Sequence, residues 1–326
     1  MAYQLPNHRL SSIHHFADWI ELLCIADVDG IMDDSRVRQE ARQQKDDLGE
    51  GNLADENEDG SVEAQDKPEA IDRWNARVAG WFAHLRFRSR QFGDAYPFTI
   101  PNGEDIVTLK ADLTSNQKLY LAFLMSSNLR YFGKHEPDLT ASFEVICFEL
   151  FKVLSPRSAE VGLFGANKLN AGEFSGKLWD KIQKLAARLY ERVLVEKEPD
   201  FGDHNTGDHG LDLFSYIPTG DDAPGTALMF GQCACTTEWV SKQDSSRGDA
   251  WRNVMTLTSH PMNVIFIPFC LRNSDGSWHR IGDQRGHVMM DRQRLLFMLK
   301  GSEDALLKLP AFNAVDELLN TKIALN

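Results

Sequence analysis

Apolar positions recur at steps of three and four over the first two-thirds of the chain, then gather into short unbroken runs beyond residue 205. The first pattern predicts helices and the second predicts buried strands. In HHFADWIELLCIADVDGIMDDSRVRQEARQ, residues 14–43, Phe16, Trp19, Ile20 and Leu23 share a helical face, and an Asp-Gly turn precedes a second helix. In PEAIDRWNARVAGWFAHLRFRSRQF, residues 68–92, the face is Ile71, Trp74, Val78, Trp81, Phe82 and Leu85. Buried helices are also predicted for SNQKLYLAFLMSSNLRYF (115–132) and LTASFEVICFELFKVLS (139–155). GEFSGKLWDKIQKLAARLYERVLVEKE (172–198) carries the clearest period, through Phe174, Leu178, Ile182, Leu185, Leu189 and Val193.

After that segment the period changes. LDLFSYI (211–217), TALMFGQCA (226–234) and MNVIFIPFCL (262–271) are bounded by Gly, Pro, Asp and Asn and read as core strands. DRQRLLFMLKG (291–301) returns to helical spacing and stops on a glycine. Helices followed by strands, with one late helix and no strict alternation, define an α+β (or α/β) class with a mixed sheet.

Composition changes this picture at one place. Between Asp46 and Glu69 stand ten acidic residues and one lysine, so −9 of the total charge of −13 lies there and −4 remains elsewhere. Residues 45–68 lack the apolar surface to offset ordering entropy and read as an acidic, disordered linker. They set off a small helical N-terminal element, 1–44, from a helical region, 69–138. An element so short is expected to dock on the body or on a partner. A nearly neutral body leaves room for a basic groove, so the acidic total does not exclude DNA. His84, Arg86, Arg88 and Arg90, interleaved with Leu85, Phe87 and Phe92, are placed either against phosphates or, preferably, at a solvated helix end where cations suit the dipole.

Five cysteines at 24, 147, 233, 235 and 270 form no disulfide framework, which fits a reducing cytoplasm. No apolar run approaches the ~20 residues of a membrane span, and the N-terminus has no signal-peptide pattern. No phosphate-cradling Gly-rich Lys-Ser/Thr loop is present. Cys233 and Cys235 with His204 or His209 make a poor zinc set, because the gap is one residue and a second pair is missing. A Cys235 or Cys270 nucleophile has no identifiable base.

The strongest candidate chemistry lies in GDHGLDLFSYIPTGDDAPGTALMFGQCACTTEW, residues 207–239. Strand alternation puts Asp212, Phe214 and Tyr216 on one face, and Leu228, Phe230, Gln232 and Ala234 on one face of the next strand. Aligned as neighbours, the strands aim Asp212 and Gln232 into a common cleft. A carboxylate beside an oxygen ligand is the minimum for Mg²⁺. Asp208 and the Asp221-Asp222 turn read as turn chemistry.

GDHGLD followed about twenty residues later by GQCA resembles the Asp…Gln-x-Lys signature of Mrr-type enzymes in the PD-(D/E)XK restriction-endonuclease-like superfamily. Phe143-Glu144 resembles that family's upstream helix start. The resemblance covers roughly 139–300 and implies a restriction-endonuclease-like mixed-sheet core, in a domain taken as 139–326. It implies a metal-dependent DNA nuclease in restriction or phage defence, with Mg²⁺ or Mn²⁺ held by Asp212, Gln232 and Glu144. Partner subunits of ATPase or helicase type are implied with it. The family's lysine falls at Ala234, and Lys242 in TTEWVSKQ is the candidate replacement. The alternative is a catalytically inactive nuclease-like subunit that binds DNA or a partner protein, or an unrelated α/β binding protein.

Overall fold

The computed structural model describes residues 3–6, 12–47, 68–165, 167–170, 172–195 and 205–322. Most of the acidic segment, 48–67, lies outside the described residues, as does His204. The chain forms two compact units, one from residues 1–121, 272–277 and 315–326, the other from 122–271 and 278–314. The class is α+β, with a helical N-terminal region and two sheets of three and five strands.

The first unit holds α1 (Ile13–Ala26), α2 (Asp34–Asp47) and α3 (Pro68–Phe92). Its small antiparallel sheet runs β1 (Ile31–Asp33), β3 (Ile106–Leu109), β2 (Phe98–Thr99). The expected helix, Asp-Gly turn and second helix are present. Gly30 takes φ +65° at the turn, which a side chain would resist, and Asp27 is ion-paired with Arg36. The apolar faces of α1 and α3 meet through Phe16 stacked on Trp81 at 4.3 Å and Trp19 edge-on to Trp81 at 6.5 Å. β1 to β3 have too few residues to show a two-residue period in the sequence.

The basic end of α3 is solvated only in part: Arg90 in the last turn is exposed, but His84 and Arg88 are buried. Arg88 is 0% exposed and donates to Asp18 Oδ1 at 2.6 Å, Glu21 Oε1 at 3.0 Å and the His14 carbonyl at 3.0 Å. Tyr96 and Tyr120 hydroxyls donate to the same Glu21 at 2.9–3.0 Å. His84 is buried against His14, ring nitrogens 3.1 Å apart. The correction has a plain cause: acceptors nearly seventy residues upstream compensate the buried cation, and helix spacing cannot show a partner so distant. Arg86 does stay near the surface, ion-paired with Asp105 at 2.5 Å.

The second unit is built on a five-stranded sheet in the order β4 (Glu160–Leu163), β5 (Leu213–Tyr216), β6 (Leu228–Cys233), β7 (Met262–Phe266), β8 (Val288–Met290). β4, β5 and β6 are antiparallel neighbours, and β7 and β8 continue in parallel to β6. A parallel neighbour needs a crossover, supplied between β6 and β7 by α7 (Trp239–Ser246) and α8 (Gly248–Trp251). α5 (Glu136–Leu154) packs on β4 and β6, bringing Phe151 within 6.1 Å of Phe266. Another face carries α6 (Leu178–Arg188), whose Leu178, Ile182 and Leu185 join Phe214, Phe230 and Trp251 in one apolar cluster.

α6 is shorter than the period from 172 to 198 implies. The chain leaves the helix at Leu189, and Tyr190 takes φ +56°. Val193 keeps its inward place by pairing with Met255 in a β-bridge, and Glu191 accepts the Thr258 backbone N–H at 2.8 Å. The apolar stripe is real, but only its middle, 178–188, is helical. α9 (Arg292–Met298) matches its pattern, with the Asp291 side chain accepting from the Arg294 N–H as N-cap. α10 (Glu303–Leu306) and α11 (Pro310–Asn320) follow. α4 (Ser115–Ser126) contains residues of both units.

Candidate functional site

The site forms where β5 begins and β6 ends, wholly within the second unit. Asp212 stands one residue before β5 but already bonds as part of the sheet. Its N–H donates to the Gly231 carbonyl at 3.0 Å, and its carbonyl accepts from Phe164 at 2.8 Å. Phe214 is paired with Phe230, so two residues earlier on β5 and two later on β6 Asp212 and Gln232 fall opposite one another on that same face. They meet there. Gln232 Nε2 donates to Asp212 Oδ2 at 2.9 Å, and the Cys233 backbone N–H donates to that oxygen at 2.6 Å. The carboxylate thus caps a strand N–H that would otherwise be orphaned inside the protein.

Gln232 is 5% exposed, and its Oε1 has no hydrogen-bond partner. A buried amide oxygen left unsatisfied costs ~1–3 kcal/mol, which a bound water or ion would relieve. That oxygen lies against Gly210, where an added Cβ would come within 3.3 Å of it and only 2.1 Å from Ser245 Oγ on α7. Gly210 also takes φ +75°, so both conformation and crowding require glycine.

Two further carboxylates act on Asp212. Burial pushes its carboxyl well above the usual carboxylate range, and the negative charges of Asp208 and Glu144 push it the same way. The Cys233 N–H and the positive charge of Lys242 oppose this shift. Glu144, half-buried on α5, is raised by its own burial and by Asp208. Its Oε2 accepts from Asn167 Nδ2 at 2.7 Å, and Lys242 again acts in the opposite direction. Lys242 projects from α7, half-buried. The four residues expected from the sequence therefore belong to one electrostatic cluster.

Sequence reasoning missed two members. Asp208 does perform turn chemistry, its Oδ1 accepting the Gly210 N–H at 2.8 Å, but its charge is also the strongest of those acting on Asp212. Lys181 on α6 is buried, and its Nζ donates to the Thr206 carbonyl at 3.0 Å. Burial pushes its ammonium below the usual lysine range, while the charge of Asp208 resists. Its place on the α6 stripe was the available signal: a lysine one residue before the core position Ile182 sits beside an apolar face.

Ala234, at the family lysine's position, is fully buried in an apolar cluster with Trp239, Ile265 and Ile267. Cys233 and Cys235 are buried free thiols, pushed well above the usual thiol range by burial. Cys147 of α5 lies in contact with Cys233. Among the described residues no three His, Cys, Asp or Glu side chains are grouped closely enough to hold a metal ion by themselves. Mg²⁺ asks for less, one or two carboxylates with water or other oxygens completing six. Asp212, Glu144 and the unpartnered Gln232 Oε1 are oxygen donors of that kind. No helix among the described residues is long and apolar enough to cross a membrane.

No family model matches the chain, and neither a curated protein nor a solved structure matches it.

Proposed function

We propose that the second unit is a metal-dependent phosphodiesterase acting on DNA, of the Mrr-type PD-(D/E)XK kind that its motifs resemble. One observation carries the reading: Asp212 and Gln232 meet at adjacent strand ends at 2.9 Å, within the field of Glu144 and Lys242. Asp212, Gln232 and Glu144 would hold Mg²⁺ or Mn²⁺. Such an ion polarises a phosphodiester and lowers the pKa of bound water. Asp212 and Glu144 supply the negative charge that recruits the cation, and burial raises the electrostatic strength of every contact in the cleft. Lys242 offers the compensating ammonium that Ala234 does not, suited to the charge that develops on phosphate oxygens.

The resemblance implies restriction or phage defence beside ATPase or helicase subunits, and the cysteine pattern fits the cytoplasm. The second reading is a nuclease-like subunit without turnover that binds DNA or a partner protein. The burial of Ala234 among apolar side chains favours it, because no lysine can reach the cleft from that position without displacing the cluster.

Incubation of the purified chain with supercoiled plasmid and Mg²⁺ or Mn²⁺ separates the readings. Nicking that disappears in Asp212→Ala is expected. Equal nicking by wild type and variant removes the site, and metal-independent DNA binding without cleavage selects the second reading.

A further inference from the structure

A cleft of about 630 Å³ opens in the first unit, where the turn after α1 meets the segment following β3 and the end of α11. Charges of both signs line it: Lys110, Lys118 and Lys322, with Asp29 and Asp112. Lys118 is satisfied within the chain, ion-paired with Asp316 at 2.8 Å. The other four charges are not. Lys110 Nζ donates to the Tyr96 carbonyl and Lys322 Nζ to the Ile25 carbonyl, each at 2.8 Å, and among the described residues neither ammonium has a carboxylate partner. The Asp112 carboxylate accepts no hydrogen bond among them, and the charge of Asp29 acts on Arg36 without pairing with it.

We infer that this cleft binds a short peptide with free termini, its carboxylate held by Lys110 and Lys322 and its ammonium by Asp29 and Asp112. The two lysines are already ordered. A lysine gives up ~2 kcal/mol of rotamer entropy when fixed, and here the carbonyls of Tyr96 and Ile25 have fixed both ammoniums before a ligand arrives. Ile25 stands in the last turn of α1, where helix carbonyls lack helical partners and a cation suits the dipole, so the fold itself keeps Lys322 in place. Each ammonium has three donors and spends one on its carbonyl. A simple anion would meet the two aspartates and a simple cation the two lysines, whereas a ligand charged oppositely at its ends complements both. Leu113 and Leu319 offer an apolar wall to its side chains. The volume falls within the ~300–1,000 Å³ of small-molecule sites and exceeds what a single amino acid fills. The inference goes beyond the nuclease reading and is independent of it, because every residue of the cleft belongs to the first unit.

Calorimetric titration of the full chain with leucyl-alanyl-alanine tests it, with the N-acetylated and C-amidated peptides titrated beside it. The unblocked peptide is expected to bind at millimolar concentration or below, and loss of either terminal charge to weaken it about tenfold or more. Asp112→Asn, which removes only the charge, and Lys110→Met are expected to weaken it as much, at a little-changed melting temperature. Asp138→Asn, an exposed acid of the second unit, is expected to leave affinity unchanged. An unblocked peptide that does not bind at millimolar concentration overturns the inference. So do blocked peptides of undiminished affinity, a result that requires no variant to fold. Weakening by amidation alone, with Asp112→Asn at wild-type affinity, overturns it as well, since the lysines would then hold any anion.

Discussion

Asp212 is placed where folding alone would not place a carboxylate. Its neighbours are strand backbone, a buried amide and two other acids, and its carboxyl is pushed well upward by burial first and by Asp208 and Glu144 next. A folded-state value above the unfolded ~4 means a stabilising contribution below that pH, lost as pH rises through the folded value. At neutral pH without metal the residue therefore weakens the fold, either by holding a proton that the unfolded chain releases or by burying the charge. Asp212→Asn, measured by urea denaturation in chelator, is expected to raise the midpoint near pH ~7 and to lose its advantage below about pH 4. A variant less stable than wild type at neutral pH would mean that the hydrogen bonds from Gln232 and Cys233 outweigh the burial of charge. At this scale the sequence was legible in part. Asp212 and Gln232 could be paired by strand alternation because a two-residue period leaves only two faces. Asp208 could not, because its carboxylate serves a local turn with one oxygen and the cluster with the other. Turn chemistry is the use that neighbouring residues reveal.

The strands that carry the site depend on close approach. Gly162 of β4 is paired with Phe214 of β5, and a Cβ at Gly162 would fall 2.4 Å from the Phe214 ring. The ring covers the bare backbone of its neighbour and packs edge-on against Phe174 at 5.0 Å. Gly162→Ala must push that ring out of the apolar cluster, an overpacking cost of ~1–3 kcal/mol. Chemical denaturation should show the loss, with faster amide exchange along β4 and β5. An unchanged midpoint would mean that the ring has another low-energy rotamer. Elements were legible where burial is complete. β5, β6 and β7 announce themselves as unbroken apolar runs bounded by turn residues, and α9 by its cap and terminal glycine. β4 and β8 were not, since three or four residues at a sheet edge carry mixed burial and no period. α6 was over-read because Val193 returns to the core through a β-bridge and continues a helical stripe by coincidence of spacing.

At the scale of the molecule the charges divide between a segment rich in acids, a nearly balanced remainder and one buried ionic cluster in the first unit. Arg88 pairs there with Asp18 and Glu21, and the hydroxyls of Tyr96 and Tyr120 donate to Glu21. An assembly of this kind contributes little net stability compared with an apolar core of equal volume, yet it cannot lose one member cheaply. Arg88→Ala removes the guanidinium from two buried carboxylates, and the expected cost is ~3–5 kcal/mol. Because the chain has two compact units, unfolding should be followed by amide exchange, reading α1 and α3 separately from the five-stranded sheet. Loss of protection is expected across α1 and α3 in the single variant. The triple variant Arg88→Met, Asp18→Leu, Glu21→Met should recover a substantial part of it, since the charges and their desolvation vanish together. A single variant costing under about 1 kcal/mol would show that water reaches the cluster and that its charges are never truly buried.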